Sequence, residues 1–245
     1  MKEGANVNNK SGYNGSTPMM VAAEYSHYAI VKFLIDNGGN VNYKDIYGNT
    51  AIHKASSNGR LKIVRLLINR GANINTKTNG GYTALMTATI NDHKEIVSLL
   101  IENNAYINEK NHYGDTALYF ACCYGHNEIV QLLLRKGANP NVKTNNDKKT
   151  PLHYACQRYR SKTIIVSLLL KNGANVNDKD CYGNTPLLIA NKKRGHKEII
   201  QTLLSYKANI FETNNTGEAA IEYIKKNMEV FMVFSLHLCC FYWRM

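Results

Sequence analysis

No apolar run long enough to cross a bilayer stands out in this 245-residue chain. Its charge-free C-terminal stretch, Val230 to Trp243, has 14 residues, short of the roughly 20 that a spanning helix needs. The N-terminus, MKEGANVNNK, has no apolar core after its lysine and does not read as a secretory signal. Six cysteines (Cys122, Cys123, Cys156, Cys181, Cys239 and Cys240) form no C-x-x-C pair, and the two vicinal pairs cannot easily bridge within themselves. That usage reads as small buried thiols in a reduced, intracellular protein, so the expected compartment is the cytosol. Acidic residues are the scarcer sign, 18 against 30 Lys and Arg, giving a net charge of +12. The imbalance favours acidic partners and says nothing about fold. H-E-x-x-H, G-x-S-x-G and the P-loop are all absent, which removes the commonest catalytic signatures. With 44% apolar and 20% charged residues, the composition is that of a folded chain.

Proline is also scarce, four residues in all, yet three of them (Pro18, Pro151 and Pro186) directly follow a threonine. That threonine recurs at Thr17, Thr50, Thr83, Thr116, Thr150 and Thr185, at intervals of 33, 33, 33, 34 and 35, within tetrapeptides such as "YGNT" and "YGDT". A degenerate seventh copy puts Ala219 another 34 residues on. Self-similarity at this period is the mark of a solenoid. Each threonine predicts the cap of a short first helix, and proline at the first helical position gives up an amide that would be unpaired anyway. A second helix carries an apolar stripe: Ile30, Val31, Phe33, Leu34 in the first copy and Ile63, Val64, Leu66, Leu67, Ile68 in the second. The same pattern returns at Ile96, Val97, Leu99, Leu100; Ile129, Val130, Leu132, Leu133; and Ile165, Val166, Leu168, Leu169. This spacing predicts one broad buried face per helix. Gly38, Gly71, Gly137 and Gly173 stop the second helix, and Gly48, Gly81, Gly114 and Gly183 serve a hairpin into the next copy. Asn104 and Lys207 stand at the helix stop and Lys148 at the hairpin, where glycine is otherwise found.

The stretches "GNTAIHKASSNGRLKIVRLLINRGANIN" and "GNTPLLIA…GHKEIIQTLL" carry this layout most fully. Through them the chain resembles the ankyrin-repeat family over about residues 4 to 225. The expected fold is all-α, a solenoid of helix-turn-helix units joined by β-hairpin-like loops. Its expected organisation is a partial repeat tail at 1–12, a solenoid at 13–218 and a degenerate terminal repeat with an apolar tail at 219–245. The repeats fall at about 14–44, 47–77, 80–110, 113–143, 147–179 and 182–212. "KEGANVN" reads as the tail of a repeat without its helices, either an exposed start or a late start within a longer array. The run Val230–Trp243 reads as a capping helix, a docking segment or a tail with no selected role.

Six of the eight histidines recur at structural positions. His53 and His153 take the place at which the family ties neighbouring hairpins by hydrogen bonds. His27, His93, His126 and His196 start second helices. No catalytic residue, metal site or cofactor is therefore expected. The resemblance implies a non-catalytic module that binds a partner protein on a concave face of hairpin tips and first-helix ends. The positions carried over are Tyr13, Asn14, Ile46, Tyr47, Asn49, Tyr82, His112, Tyr113, Asp115, Cys181, Tyr182 and Asn184. The helix-end set is Glu24, Tyr25, Ser57, Asn58, Ile90, Asn91, Cys123, Tyr124, Gln157 and Arg158. Tyrosine, which offers large amphipathic area at low entropy cost, dominates the first set; packing of Tyr47, Tyr113 and Tyr182 on neighbouring hairpins is the structural alternative. Lys148, Lys149, Arg158, Arg160, Lys162, Lys192, Lys193 and Arg194 gather basic charge in the fifth and sixth copies. They favour an acidic protein surface, with nucleic acid as the alternative ligand. A monomer, with no membrane contact, is expected. Stand-alone ankyrin proteins of this composition are similar to those of intracellular bacteria and large DNA viruses, so delivery to a host cytosol is a further expectation.

Overall fold

The computed structural model describes residues 6–10, 12–157, 163–192 and 197–226, and the chain divides into two compact units, Met1–Asn145 and Asn146–Met245. The described residues hold thirteen helices and no strand. The first unit contains four antiparallel pairs: α1 (Pro18–Glu24) with α2 (Tyr28–Asp36), α3 (Ala51–Ser57) with α4 (Leu61–Asn69), α5 (Ala84–Ile90) with α6 (Lys94–Glu102), and α7 (Ala117–Tyr124) with α8 (Asn127–Arg135). The second contains α9 (Pro151–Gln157) with α10 (Thr163–Lys171), α11 (Pro186–Asn191) with α12 (Lys197–Ser205), and α13 (Ala220–Lys226).

Every first helix starts one residue after the recurring threonine. The hydroxyls of Thr17, Thr83, Thr116 and Thr185 accept from the amides of Met20, Met86, Tyr119 and Leu188, satisfying a donor that the first turn leaves unpaired. Helices of six to nine residues do not persist alone in water. They are held because, within each unit, neighbouring pairs pack together, first helix on first helix and second on second, which in the first unit buries Ile52, Ile63, Leu67, Leu85, Ile96 and Leu100.

The first copy departs from the expected stripe. Ile30 and Phe33 are each 49% exposed, whereas their counterparts one copy on, Ile63 and Leu66, are 1% and 8% exposed. Only Val31 and Leu34 of that stripe are buried. The inner side of α2 packs on α4, but no described helix covers its outer side.

Polar side chains fasten successive copies. In the first unit the amides of Asn8, Asn42, Asn75 and Asn108 donate to the carbonyls of Gly38, Gly71, Asn104 and Gly137. Their oxygens accept from the backbone of Asn40, Asn73, Tyr106 and Asn139. At the opposite end of the helix pairs, Arg60, His93 and His126 reach 36 residues back to the carbonyls of Glu24, Ser57 and Ile90. His93 and His126 thus have the structural place that their recurrence implied; His27 is exposed, and His196 lies outside the described residues.

Candidate partner-binding surface

The loop between copies is a tight turn closed on itself. Asp45, Asn111, Asp180 and Asn214 open four of these turns, and in each the backbone amide of that residue donates to the carbonyl four residues on. The side-chain oxygen of the same residue accepts from the amides two and four residues on, as Asp45 does from Tyr47 and Asn49. Both ends of the turn are thereby pinned, and the residue two places in is pushed to the tip. In three of the four that residue is Tyr47, Tyr113 or Tyr182, and these are 59%, 56% and 63% exposed; in the fourth it is Thr216. The glycine that follows has a positive φ, and at Gly48 an added Cβ would lie 2.6 Å from the Asn79 side chain and 2.7 Å from its amide. The turns therefore stack closely, the Asn79 amide donating to the carbonyl of Tyr47 and the Asn145 amide to that of Tyr113.

The other carried-over positions divide into exposed and internally engaged groups. Tyr13, Tyr25 and Tyr124 are exposed, the last with its ring stacked on His126 at 5.9 Å. Tyr82 is half-buried and stacks on Phe120, with ring centroids 5.7 Å apart. Asn49 and Asn184 donate their side-chain amides to Asp45 and Asp180, and the Asp115 carboxylate accepts from Asn111. Those three side chains close their own turns. His53 and His153 tie copies together: the Nδ1 atoms accept from the Thr50 and Thr150 amides, and the Nε2 atoms face the carbonyls of Tyr82 and Asn184 at 3.2 and 3.1 Å. Burial pushes the His53 imidazole down to about 4, against the opposing effect of its bond to Tyr82.

The basic cluster of the second unit is less available than its sequence implies. Lys149 pairs with Asp147 at 3.0 Å and lies over the Tyr154 ring, and Lys192 pairs with Glu218 at 2.6 Å. The Lys192 ammonium, with Asn214 and Tyr223 also donating, holds the Glu218 carboxyl down at about 2. Beside these lysines lies a shallow hollow of about 160 Å³, lined by Gln157, Asp180, Tyr182 and Ile189 among others. Arg158, Arg160, Lys162, Lys193 and Arg194 lie outside the described residues. Among the described residues no three His, Cys, Asp or Glu side chains gather as metal ligands, and no helix is long and apolar enough to cross a membrane.

Sequence reasoning missed two features: the Asp or Asn that opens four of the turns, with Thr78 in that place in another, and a row of lysines just before it. Both recur at the repeat period, so the signal was present; the recurrence of Thr, Gly and Tyr drew the reading instead.

The family described as "Ankyrin repeats (3 copies)" matches residues 1–78, 73–144 and 139–214. The chain belongs to the ankyrin-repeat family. In the described part it is all-α, as expected, and ankyrin repeats generally act as protein–protein interaction modules on a fold that is typically non-enzymatic. The human ASB11 ankyrin repeat domain is similar over 85% of this chain and 91% of that one, at 28% identity and a TM-score of 0.74. The ankyrin repeat domain of Bcl-3, a member of the IkappaB protein family, is similar over 86% and 94% at 26% identity and a TM-score of 0.76. By sequence, the E3 ubiquitin-protein ligase XBAT33 of Arabidopsis thaliana is 37% identical over 79 residues, which is 32% of this chain and 15% of the ligase. A putative ankyrin repeat protein of Acanthamoeba polyphaga mimivirus is 32% identical over 100 residues, 39% of this chain and 17% of that protein. These stretches are a small part of the relatives' own length.

Proposed function

We propose that this ankyrin-repeat chain is a non-catalytic adaptor that holds a partner protein on its hairpin tips and first-helix ends, with Tyr47, Tyr113 and Tyr182 as the anchors. The observation that carries the reading is their exposure. All three occupy the same place in the turn, pinned by Asp45, Asn111 and Asp180, and none is more than half covered by its own neighbours. A pinned backbone under an exposed aromatic ring is a pre-organised contact, since little ordering entropy is lost when a partner covers it. Tyr25 and Tyr124, exposed at first-helix ends, extend the same chemistry. The ion pairs on Lys149 and Lys192 shift the weight from charge to aromatic contact. The adaptor acts as a monomer in a reducing cytosol, a setting that the unbridged thiols of Cys156, buried, and Cys181, exposed, suit.

The test is a nuclease-treated pull-down from lysate, wild type beside a Tyr47, Tyr113, Tyr182→Ala triple variant, both checked by circular dichroism. Truncating anchors of this kind costs roughly 1–2 kcal/mol each, so capture should fall at least about tenfold. Equal capture by the two would reduce the tyrosines to surface residues without a binding role. Capture of nucleic acid alone, lost on nuclease treatment, would replace the protein-binding reading by the nucleic-acid one.

A further inference from the structure

Lys44, Lys77 and Lys110 each stand one residue before a turn of the first unit, and Lys10 and Lys143 extend the series in the sequence, at intervals of 34, 33, 33 and 33. Their side chains are not splayed at random. The Lys44 ammonium donates to the carbonyl of Lys77 at 3.0 Å, that of Lys77 to Lys110 at 2.9 Å, and that of Lys110 to Lys143 at 3.3 Å. Lys10 lies over the Tyr43 ring, 5.7 Å from its centroid. The ammonium groups of Lys10, Lys44, Lys77 and Lys110 are thus aimed along the row by the next copy. A lysine has three donors, and one carbonyl takes one of them. Lys10, Lys44 and Lys110 are exposed.

The chain itself shows what this position takes. Glu109 pairs with Lys77 at 2.7 Å, and that bond holds the Glu109 carboxyl below the usual range. In the second unit Lys179 repeats the arrangement, donating to the Thr213 carbonyl and pairing with Glu212. Twice, in separate units, a lysine at this place engages both the next copy's carbonyl and a carboxylate.

We infer that the lysine row of Met1–Asn145 binds an extended acidic polypeptide whose carboxylates recur at every third residue. The spacing follows from the packing. First helices of successive copies lie side by side, and packed helices are roughly 8–10 Å apart. A polyproline II strand makes one turn in three residues and advances about 9 Å, so every third side chain falls on one face. Such a strand presents one carboxylate per lysine, taking at Lys77 the place that Glu109 holds in the unbound chain. A nucleic-acid duplex, with a charge about every 1.7 Å of its axis, would instead crowd several phosphates onto each rung. The row uses side chains other than the tyrosines, so this binding does not depend on the partner proposed above.

The test titrates the full chain with a labelled peptide of five Glu-Pro-Pro triplets, beside a peptide of the same composition with its glutamates in one block. The triplet peptide should bind several-fold more tightly, and its affinity should fall about tenfold or more between about 50 and 200 mM salt. A Lys44, Lys77, Lys110→Gln triple variant keeps an N–H for each carbonyl and should lose at least about tenfold in affinity, while the corresponding Arg variant should retain it. The Tyr47, Tyr113, Tyr182→Ala variant should bind the peptide like wild type. Should the Gln triple melt early, the three single Gln variants should each lose a measurable fraction of the binding. Equal binding of the two peptides, a short DNA duplex displacing the triplet peptide, or no binding at about 1 mM would each overturn the inference.

Discussion

His53 shows how much one side chain contributes when its two nitrogens face different copies. With Nδ1 accepting from the Thr50 amide, the neutral ring carries its proton on Nε2 and donates to the Tyr82 carbonyl. Protonation would turn Nδ1 into a second donor facing an N–H, in a buried site. The folded imidazole is accordingly lowered to about 4, from 6.5. Between those values the unfolded chain binds more protons, so stability rises with pH there. The contribution is complete above about pH 6.5 and is lost as pH falls toward 4; it amounts to about 3 kcal/mol. Urea unfolding of wild type and His53→Gln across this range should show their stability difference shrinking as the pH drops; parallel curves would sink this account.

Within the repeat element, two glycines with the same φ sign do different work. Gly71 ends α4 with φ near +80°, and a Cβ there would meet nothing within 4 Å. Gly71→Ala should therefore cost only the left-handed backbone term, about 1–2 kcal/mol. Gly48 adds the close approach of the Asn79 backbone and side chain, so Gly48→Ala should cost a further 1–3 kcal/mol, roughly, from overpacking. Lys207, at φ +62°, takes the helix-stop place in the sixth copy, and Lys207→Gly should stabilise the chain by about 1 kcal/mol. Thermal or chemical melts of the three variants check the order, and equal losses at Gly48 and Gly71 would contradict it. Lys148 holds the hairpin place at φ +54°, and the residue stacked on its turn is Cys181, whose amide still donates to Asp147. The next turn at this copy thus contributes no Asn side chain to the crowded place.

At the scale of the whole molecule, the same repeat position carries different energies according to what lies beyond it. Ile63 is sandwiched within the stack, and Ile63→Ala should cost about 2–4 kcal/mol. Ile30, half exposed on the outer side of α2, should cost roughly 1 kcal/mol or less on truncation. Denaturant midpoints of the two variants give the comparison, and similar losses would mean that the outer side of α2 is covered in solution. Because stability in such an array is about a sum of copies and nearest-neighbour contacts, a copy with a described neighbour on one side alone is where this contrast should be largest.

The sequence by itself determined the repeat, the start of every first helix, the helix stops and the family. All of these depend on residues a few places apart: Thr before Pro or Ala, an apolar stripe, Gly after it. It also placed His53 and His153 correctly, since their partners lie at fixed offsets within and between copies. Only the tertiary structure decided which of the surface positions are available. Asn49, Asp115 and Asn184 matched the family's contact places, yet their side chains bond within their own turns, and Asn184 also accepts from Asn214 of the next. Lys149 and Lys192 read as free basic charge until Asp147 and Glu218 were found beside them. Lys44, Lys77 and Lys110 became a row only when each ammonium was seen on the next copy's carbonyl. The lysine row and the Lys192–Glu218 pair depend on groups that stacking brings together, 33 and 26 residues apart in the chain, and the short-range pairs depend on the backbone bonds that close each turn; the apolar stripe and the helix signals carry neither.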